Sequence, residues 1–588
     1  MALVLLLFAF LSLSLSLYSQ YDPTVVAACD LAVNFVFGPT ATYRPIGSAA
    51  DTAFSGSAVI ELEVLVVIPK TKTTKPTTTT MTNGKNNAHN TNTTRVVLKH
   101  SAVRTLSKSF VTTSTSEEEG DTIKSSKKYA AALKVDQSSR NEYAFLQSYS
   151  EKLLQLPPNT IDNDGISSSN KNKNKNDDDE EEEIKLIQTK TRIPRTLYAR
   201  NHPTEGITLL LESFTSSGGR VTVIPLGPKL NATLEWLANF HANFLPRSLN
   251  PNTFLNDDND NSDSDFAATK EVKEKEEKEE EEEEKKLSSL LWSIGTHLSL
   301  EKRSPIELQQ LPRDLTEFVE RFQNIDNDHD NENDCCCSYF QTLQAKQQGQ
   351  RIQDVAMDVA HYLHPDNNPA HKTIVHGDYK QGNMFFAATA TNNNNTTAVT
   401  TTATSSSSRN NGDKEIDIDI DAAHQHQEKI AVFDWQWTGP GLGATDLVYL
   451  CVMAVSDEAL VDYETTILRP YHNYLIQALT NVTRTNNNKN KNVGDGTTTT
   501  TTTNYDELYP YNHLINEFKI AMIDIQRWMG GSRYKSMTVE TVQKAKENID
   551  INHGIFRRSM TRIVWIFKIV DLALDDIESG RIQLLKHK

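Results

Sequence analysis

Two short segments of the chain carry the residue types that chemistry needs. The first is His376–Asn383, with the sequence HGDYKQGN, and the second is Asp434-Trp435, 51 residues after Asn383. They supply a carboxylate, an amide five residues further on, and a second carboxylate at the end of an apolar run. Phosphoryl transfer from a metal nucleotide needs one group that receives the acceptor's proton and two oxygen ligands for Mg²⁺. The spacing therefore predicts phosphoryl-transfer chemistry.

The pattern H-x-D-x-x-x-x-N gives each polar residue a task. Asp378 would accept or orient the proton of an acceptor hydroxyl, because positioning and charge neutralisation dominate this reaction. Asn383 stands before the short apolar run 384–386 and would place a neutral oxygen on Mg²⁺. Asp434 follows the apolar run 430–433 and would supply the charged metal ligand. The pattern is weak alone, and a following strand and a strand-end Asp-Trp make it more specific.

The N-terminal half contains predicted strands and a helix that could pack against the two motifs and position their polar residues. Segments 59–67, 95–99 and 206–214 are apolar and rich in β-branched residues, which predicts strands. The first two are separated by a Thr/Asn-rich segment that reads as an overlong hairpin loop. Segment 129–154 has apolar residues at intervals of three and four, which predicts a helix. Strand, strand, helix, strand is the order of a small sheet packed on one helix.

From residue 230 onward the apolar spacing is mainly helical. Two short β-type runs, 384–386 and 430–433, interrupt it and flank a low-complexity insertion. We expect these runs to form a hairpin with polar residues at its ends, and the cleft between the two halves to hold a nucleotide. The predicted helical segments are 230–245, 315–322, 352–363, 447–455, 467–479, 514–528 and 563–574.

The two motifs together resemble a known family. HGDYKQGN followed by VFDWQW is similar to the aminoglycoside/choline phosphotransferase superfamily, in particular to its ecdysteroid-kinase-like and CHK kinase-like branch. Segments 209–212, 237–242 and 439–446 resemble that branch's inter-lobe strand, first C-lobe helix and the turn after the metal aspartate. The resemblance implies an α+β, two-lobed protein-kinase-like fold. Residues 40–225 would form a small antiparallel sheet plus helix, and residues 226–580 a larger, mostly helical lobe.

The resemblance also implies roles for single residues. Asp378 corresponds to the catalytic aspartate, and Asn383 and Asp434 to the Mg²⁺ ligands. His376 would brace the catalytic loop rather than react. Asp446 would cap the following helix or tie it to the catalytic loop, which is a structural role. The implied activity is transfer of the γ-phosphate of ATP, with Mg²⁺, to the hydroxyl group of a small molecule.

The nucleotide-binding lysine is left open between two positions. A kinase needs a strand lysine on the α- and β-phosphates and a helix glutamate that holds it. Lys99 lies in a regular strand pattern, whereas its rival Lys134 has a helical setting. Glu142 is the natural partner of either lysine, and Glu212, at the end of the inter-lobe segment, is a further nucleotide-binding candidate. No G-x-G-x-x-G loop precedes the first strand, and 54–58 is the nearest candidate.

Alternative functions differ from this interpretation in particular residues. A protein kinase would have H-R-D, D-F-G and A-P-E segments, but Gly377 replaces the arginine, Trp435 the phenylalanine, and no A-P-E follows. A pseudokinase or ATP-binding scaffold would not need Asp378, Asn383 and Asp434 together. The acceptor stays open. Trp435 and Trp437 are candidates for an aromatic face toward a quaternary ammonium group such as choline, although aromatic residues beside a site more often simply pack.

Charge is concentrated in low-complexity segments. The formal net charge is −17, of which segments 177–183 and 257–286 together carry −16, so the rest of the chain carries −1. This distribution offers no basic surface for nucleic acid. Segments near 70–94, 160–183, 251–286, 388–428 and 486–503 are rich in Asn, Thr, Ser, Lys or acids, and we predict them to be disordered insertions.

The N-terminal segment and the cysteine content are the sequence features that indicate the cellular compartment of the protein. Residues 1–17 are apolar or serine and no charged residue precedes Asp22, so 1–27 is predicted to be a signal peptide or an anchor. Cleavage candidates lie at 17–19 and 25–27. This segment favours the secretory pathway, whereas the resembled enzymes are mostly cytoplasmic. No later segment is long and apolar enough to span a membrane. Five cysteines, three of them adjacent, form no disulfide framework.

Overall fold

The computed structural model describes an α+β protein that is mostly helical and carries small antiparallel sheets. The described residues are 23–37, 41–48, 58–67, 91–101, 137–149, 191–202, 206–214, 218–245, 291–323, 336–387, 429–491 and 505–584.

The largest sheet has five antiparallel strands in the order β1-β2-β3-β5-β4. The strands β2 and β3 pair as the predicted hairpin, with Val59 opposite Lys99, and β3 pairs with β5, which places Lys99 opposite Leu209. The strands are β1 (Thr42–Ser48), β2 (Ala58–Val67), β3 (Thr91–Ser101), β4 (Thr196–His202) and β5 (Gly206–Glu212).

Side chains of this sheet alternate between two cores, as the period of a strand requires. On one face, helix α1 (Pro23–Phe37) packs Cys29, Ala32 and Val33 against a core that includes Leu98. On the other face, alternate residues of β5 such as Leu209 join the main core, which also contains Phe145 of helix α2 (137–149). Lys99 is next to Leu98 in β3, so the alternation directs it toward the α2 face.

Two small sheets sit within the helical part. Strands β8 (Met384–Ala387) and β9 (Ile430–Val432) pair antiparallel with Met384 opposite Val432, and β6 (Gly218–Gly219) joins the edge of β8. Strands β7 (Lys372–Val375) and β10 (Gly439–Leu442) form a second antiparallel pair. The carboxyl ends of β7 and β9 lead directly into the two motifs.

Helices supply most of the remaining described structure, and several begin at sequence-encoded caps. The Ser304 hydroxyl accepts from the backbone N–H of Ile306, and Thr538 and Thr541 form a reciprocal capping box. The helices are α3 (Pro228–Ala242), α4 (Pro305–Phe322), α5 (Cys336–Phe340), α6 (Leu343–Leu363), α7 (Gly443–Met453), α8 (Asp457–Leu460), α9 (Arg469–Lys491), α10 (Tyr505–Leu508), α11 (Tyr511–Trp528), α12 (Val539–Glu547) and α13 (Met560–Glu578).

The element predictions are confirmed in type, and some boundaries were wrong. The insertion predicted near 70–94 overlaps the start of β3 at Thr91, and the one predicted from 486 overlaps α9, which continues to Lys491. The cleavage candidate at 25–27 lies in the first turn of α1. Most of the other predicted insertions, with residues 1–22 and the rival Lys134, lie outside the described residues. Among the described helices, none has the length and apolar character to cross a bilayer.

Candidate active site

A buried lysine joins the large sheet to the second motif. Lys99, on β3, forms a short ion pair with Glu142 of α2, and its Nζ lies 3.2 Å from Oδ1 of Asp434. Burial lowers the pKa of Lys99, but the carboxylates of Glu142 and Asp434 raise it by more, so the net pKa lies above its usual value. The lysine is therefore a fixed positive charge at neutral pH. The structure brings Lys99 and Glu142 together as the sequence predicts.

Asp434 has an unusual backbone and a restrained side chain. It follows β9 by two residues and has a φ of 72°, a left-handed conformation that is uncommon for residues other than glycine. Gln436 Nε2 donates to both of its carboxylate oxygens, at 2.8 and 3.0 Å. Such strain persists only where the surroundings fix it, and it clusters at functional sites.

Asp378 has one carboxylate oxygen held and one without a hydrogen bond. Its Oδ2 accepts from Lys380 Nζ at 2.9 Å and from Asn383 Nδ2 at 3.0 Å. Its buried Oδ1 accepts no hydrogen bond of good geometry among the described residues, although the Tyr449 hydroxyl lies near this carboxylate. Burial raises the pKa of Asp378, yet Lys380, His297 and the Tyr449 hydroxyl together outweigh burial and leave the pKa below its usual value. The group is thus an ionised carboxylate with one acceptor atom available.

Asn383 links the two motifs. Its Nδ2 also donates to the backbone carbonyl of Asp378 at 2.9 Å, and its backbone carbonyl accepts from the backbone N–H of Phe433 at 3.1 Å. Because Nδ2 is engaged by Asp378, Oδ1 is the amide atom that remains for another ligand. Phe433, which precedes Asp434, is therefore hydrogen-bonded to Asn383, which in turn orients Asp378.

The backbone conformation and close packing at position 377 explain why glycine is the second residue of the first motif. Its φ is +77°, and a Cβ built there would lie 2.4 Å from the carbonyl oxygen of Trp437 and 2.6 Å from the backbone nitrogen of Thr296. No larger side chain fits this approach. The glycine is thus required by packing between the loop and the segment after Asp434.

His376 braces the loop through both ring nitrogens. Its Nδ1 accepts from the backbone N–H of Asp378 at 3.2 Å, so the other nitrogen, Nε2, donates to the carbonyl of Phe433 at 3.0 Å. The ring is fully buried against Trp435, with centroids 4.6 Å apart. It has no path to a substrate, which matches the bracing role.

Asp446 ties the loop to the helical part. Its carboxylate accepts from the backbone N–H groups of His376 at 2.7 Å and Gly377 at 2.9 Å, and it lies 3.3 Å from Nε2 of His241. It makes no side-chain cap of α7. Of the two roles that the sequence left open, the structure shows the tie to the loop.

Several residues of the site were missed from the sequence. Buried Asn141 donates to the carbonyl of Trp435 at 3.0 Å and accepts from the backbone N–H of Trp292 at 2.7 Å. Gln436 and Lys380 restrain the two aspartates. Their adjacency to Glu142, Asp434 and Asp378 was the only signal in the sequence, because the contacts themselves join distant segments.

The remaining candidates make other contacts. Glu212 ends β5, and its carboxylate pairs with Arg192 at 3.0 Å. The nucleotide-binding role predicted for it thus has no support in these contacts. Trp435 is fully buried and stacks on Phe145 at 4.3 Å, so it packs rather than offering a face to a ligand. Trp437 stacks on Trp292, with centroids 5.4 Å apart. Of segment 54–58, only Ala58 is described.

The assembled group has a defined chemical capacity. It places a fixed cation, two oxygen donors suited to a hard divalent ion, and an ionised carboxylate with a spare oxygen on connected segments. No family model matches the chain, and no curated protein matches it significantly.

Proposed function

We propose that the protein is an ATP- and Mg²⁺-dependent small-molecule kinase with a two-lobed, protein-kinase-like fold. The observation that carries the proposal is the set of contacts that runs from Lys99 to Asp434, from the adjacent Phe433 to Asn383, and from Asn383 to Asp378. Phosphoryl transfer requires these groups at one place: a cation for the phosphates, oxygen ligands for the ion, and a carboxylate for the acceptor.

The residues fit the roles that the reaction needs. Lys99 would hold the α- and β-phosphates, with Glu142 keeping it in position. Asn383 through Oδ1 and Asp434 through its carboxylate, which is 22% exposed, would hold Mg²⁺. When bound, the ion would neutralise charge on the phosphates. Both residues offer oxygen donors, which is what Mg²⁺ prefers.

Asp378 would receive the proton of the acceptor. The acceptor hydroxyl would lie against Oδ1, while Lys380 and Asn383 keep Oδ2 in place. The oxygen–phosphorus bond forms, the bond from the γ-phosphorus to ADP breaks, and the hydroxyl proton passes to Asp378. The lowered pKa keeps Asp378 ionised and ready for this step at neutral pH.

Cations around Asp378 favour an acceptor that carries negative charge. Arg533 and Arg557 are half-buried; Asp378 lies near Arg533 and Asp550 near Arg557, although neither arginine forms a close ion pair among the described residues. Burial lowers the pKa of Arg557, and the nearby Arg533 lowers it further. The guanidinium of Arg533 lies over Trp528 at 4.7 Å. Together with Lys380, these groups would repel a quaternary ammonium and attract a carboxylate or phosphate group.

An acceptor screen tests the proposal directly. Purified protein is incubated with Mg²⁺-ATP and hydroxylated compounds grouped as cationic, neutral and anionic, and ADP release is measured with and without each compound. We expect acceptor-dependent ADP release, strongest for an anionic compound, and none with EDTA. Mg²⁺-dependent ATP binding without transfer to any compound would indicate an ATP-binding scaffold, and no ATP binding would overturn the proposal.

A further inference from the structure

A second cluster of potential metal ligands lies outside the candidate active site. His371 precedes β7, while His513 and Glu517 lie one turn apart on α11. Oε1 of Glu517 is 3.3 Å from Nδ1 of His371 and 3.0 Å from Nε2 of His513. The ligand atoms of the three residues all lie within 4.8 Å of one another. Two imidazoles and a carboxylate thus converge from two separate elements.

Two of the ligand separations match a tetrahedral metal ion, and the third is within 4.8 Å. Zinc binds histidine nitrogen and carboxylate oxygen at about 2.0–2.2 Å, which puts neighbouring ligand atoms about 3.3 Å apart in a tetrahedron. The two distances to Oε1 are close to this value. The imidazole rings are 4.1 Å apart between centroids and tilted by 66°, so both can direct a nitrogen toward one point.

Burial and a supporting hydrogen bond distinguish this group from a surface ion pair. The Glu517 side chain is 1% exposed, whereas those of His371 and His513 are 15% and 30% exposed. The Tyr509 hydroxyl donates to Oε2 of Glu517 at 2.6 Å, which leaves Oε1 for the histidines. Such outer partners orient metal-binding carboxylates. The carboxylate is anchored from inside, and an ion can reach the group from the histidine side.

We propose that His371, His513 and Glu517 bind a divalent transition metal ion, with zinc favoured by the ligand types, and with solvent in the fourth position. Two histidines, one carboxylate and one open position form an established zinc ligand set. The ion replaces the protons shared between the imidazole nitrogens and Oε1, so binding releases protons and weakens at low pH.

The position of the cluster gives the ion a structural consequence. His371 lies five residues before His376, at the start of the strand that leads into HGDYKQGN. A metal ion bound by His371 and by His513 and Glu517 of α11 would hold the start of β7 against α11. The cluster shares no residue with the candidate active site, so this inference stands whether or not the protein is a kinase.

Metal binding by the untagged full-length protein tests the inference. Metal-stripped protein is titrated with Co²⁺ in excess Mg²⁺, and then with Zn²⁺. We expect one Co²⁺ per chain with the visible bands of tetrahedral cobalt, displacement by Zn²⁺, and a higher melting temperature with Zn²⁺. Absence of a tetrahedral cobalt spectrum in the wild-type protein would overturn the proposal.

Matched variants assign the ligands. His513→Gln and His371→Gln should each weaken Co²⁺ binding by more than about tenfold, and Tyr509→Phe by about tenfold. His472→Gln is the control, because His472 packs on the Tyr509 ring but is not in the ligand set. It should keep the cobalt spectrum. Equal Co²⁺ affinity in wild type and in both ligand variants would show that the ion binds elsewhere.

Discussion

At the scale of single residues, the most informative feature is the unequal use of the two oxygens of Asp378. Oδ2 is held by Lys380 and Asn383, whereas buried Oδ1 accepts no hydrogen bond of good geometry among the described residues and has the Tyr449 hydroxyl near it. Leaving a buried acceptor unsatisfied costs about 1–3 kcal/mol. Oδ1 of Asp378 is therefore suited to a ligand that supplies a hydrogen bond. In the proposed reaction that ligand is the acceptor hydroxyl.

Asp378→Asn should stop transfer and preserve nucleotide binding. The amide cannot accept the hydroxyl proton, so kcat should fall by about 10²–10⁴. The affinity for Mg²⁺-ATP should change little, because Asp378 makes no contact with Lys99 or Asp434. Steady-state ADP release and calorimetric ATP titration measure the two quantities. Asp366→Asn, an exposed carboxylate paired with Lys372, is the control. Wild-type kcat in Asp378→Asn would remove Asp378 from the proposed reaction.

His297 should make stability depend on pH. Burial lowers its pKa from 6.5 to about 3, although Asp378 opposes this and the neighbouring cations Lys380, Arg533 and Arg303 reinforce it. The unfolded chain therefore binds a proton between pH 6.5 and 3 that the folded protein excludes. The free energy of unfolding should thus fall as pH falls through this window, by about 1–2 kcal/mol between pH 7 and pH 5.

His297→Gln isolates that contribution, because glutamine does not titrate. Denaturant unfolding at pH 7 and pH 5 should show a smaller pH difference in the variant than in wild type. His361→Gln, which changes a histidine of α6, serves as the comparison. An unchanged pH difference in His297→Gln would show that other groups cause it.

The residue types at the centre of the site could be predicted from the sequence, while their supports could not. Asp378, Asn383 and Asp434 follow from spacing and from the adjacent apolar runs, since a strand end fixes where the next side chain lies. Asn141 and Gln436 act through contacts with segments far away in the chain. Such contacts depend on packing, which no local pattern encodes.

At the scale of elements, Asp446 connects three parts of the molecule. It lies in the first turn of α7, accepts from two backbone N–H groups just after β7, and contacts His241 of α3, whose Nδ1 lies 2.7 Å from the Tyr471 hydroxyl of α9. The carboxylate is fully buried. The geometry of the loop 376–383 therefore depends on the packing of the helices.

Asp446→Asn should lower both stability and activity. The amide NH₂ would face a backbone N–H, so at least one charged hydrogen bond is lost and the free energy of unfolding should fall by about 2–3 kcal/mol. The loop shift should also lower kcat while ATP affinity stays close to wild type. Asp524→Asn is the matched control, because Asp524 is buried and pairs with Arg527 rather than with backbone N–H groups of the loop. A variant with lower stability but wild-type kcat would limit Asp446 to a folding role.

The elements themselves show where sequence patterns suffice. The predicted strands and helices have long apolar runs of clear period, and these appear in the structure. Helix α1 was missed because its segment overlaps an apolar start that reads as a signal sequence. Strands β1 and β4 contain polar or proline residues, such as Pro45 and Arg200, and are defined by pairing with β2 and β5 rather than by their own pattern.

At the scale of the whole molecule, Lys99 joins the five-stranded sheet to the helical part. Lys99→Met removes the cation between Glu142 and Asp434, and leaving a buried carboxylate unpaired costs about 3–5 kcal/mol. ATP affinity should fall because the phosphates lose their cation. The double variant Lys99→Met/Glu142→Gln should recover most of the stability without recovering ATP affinity. Thermal unfolding and ATP titration measure both, and wild-type ATP affinity in either variant would contradict the role of Lys99.

The segment between β8 and β9 is long, yet its two ends meet. The backbone N–H of Ala387 donates to the carbonyl of Lys429 at 2.8 Å, continuing the ladder that pairs Phe386 with Ile430. The positions that flank 388–428 are therefore already opposite each other in a hairpin. A two-residue Asn-Gly turn can join such positions without changing the strands.

Replacing 388–428 with Asn-Gly should thus leave the candidate site intact. Closing a shorter loop costs less entropy, so the melting temperature should stay equal or rise slightly. The kcat and ATP affinity should match wild type, because Asn383 and Asp434 keep their register across β8 and β9. A control that deletes Phe385 should shift that register by one residue and abolish transfer. If the Asn-Gly protein unfolds or loses ATP binding, the segment contributes to the fold or the site, and the insertion interpretation is wrong.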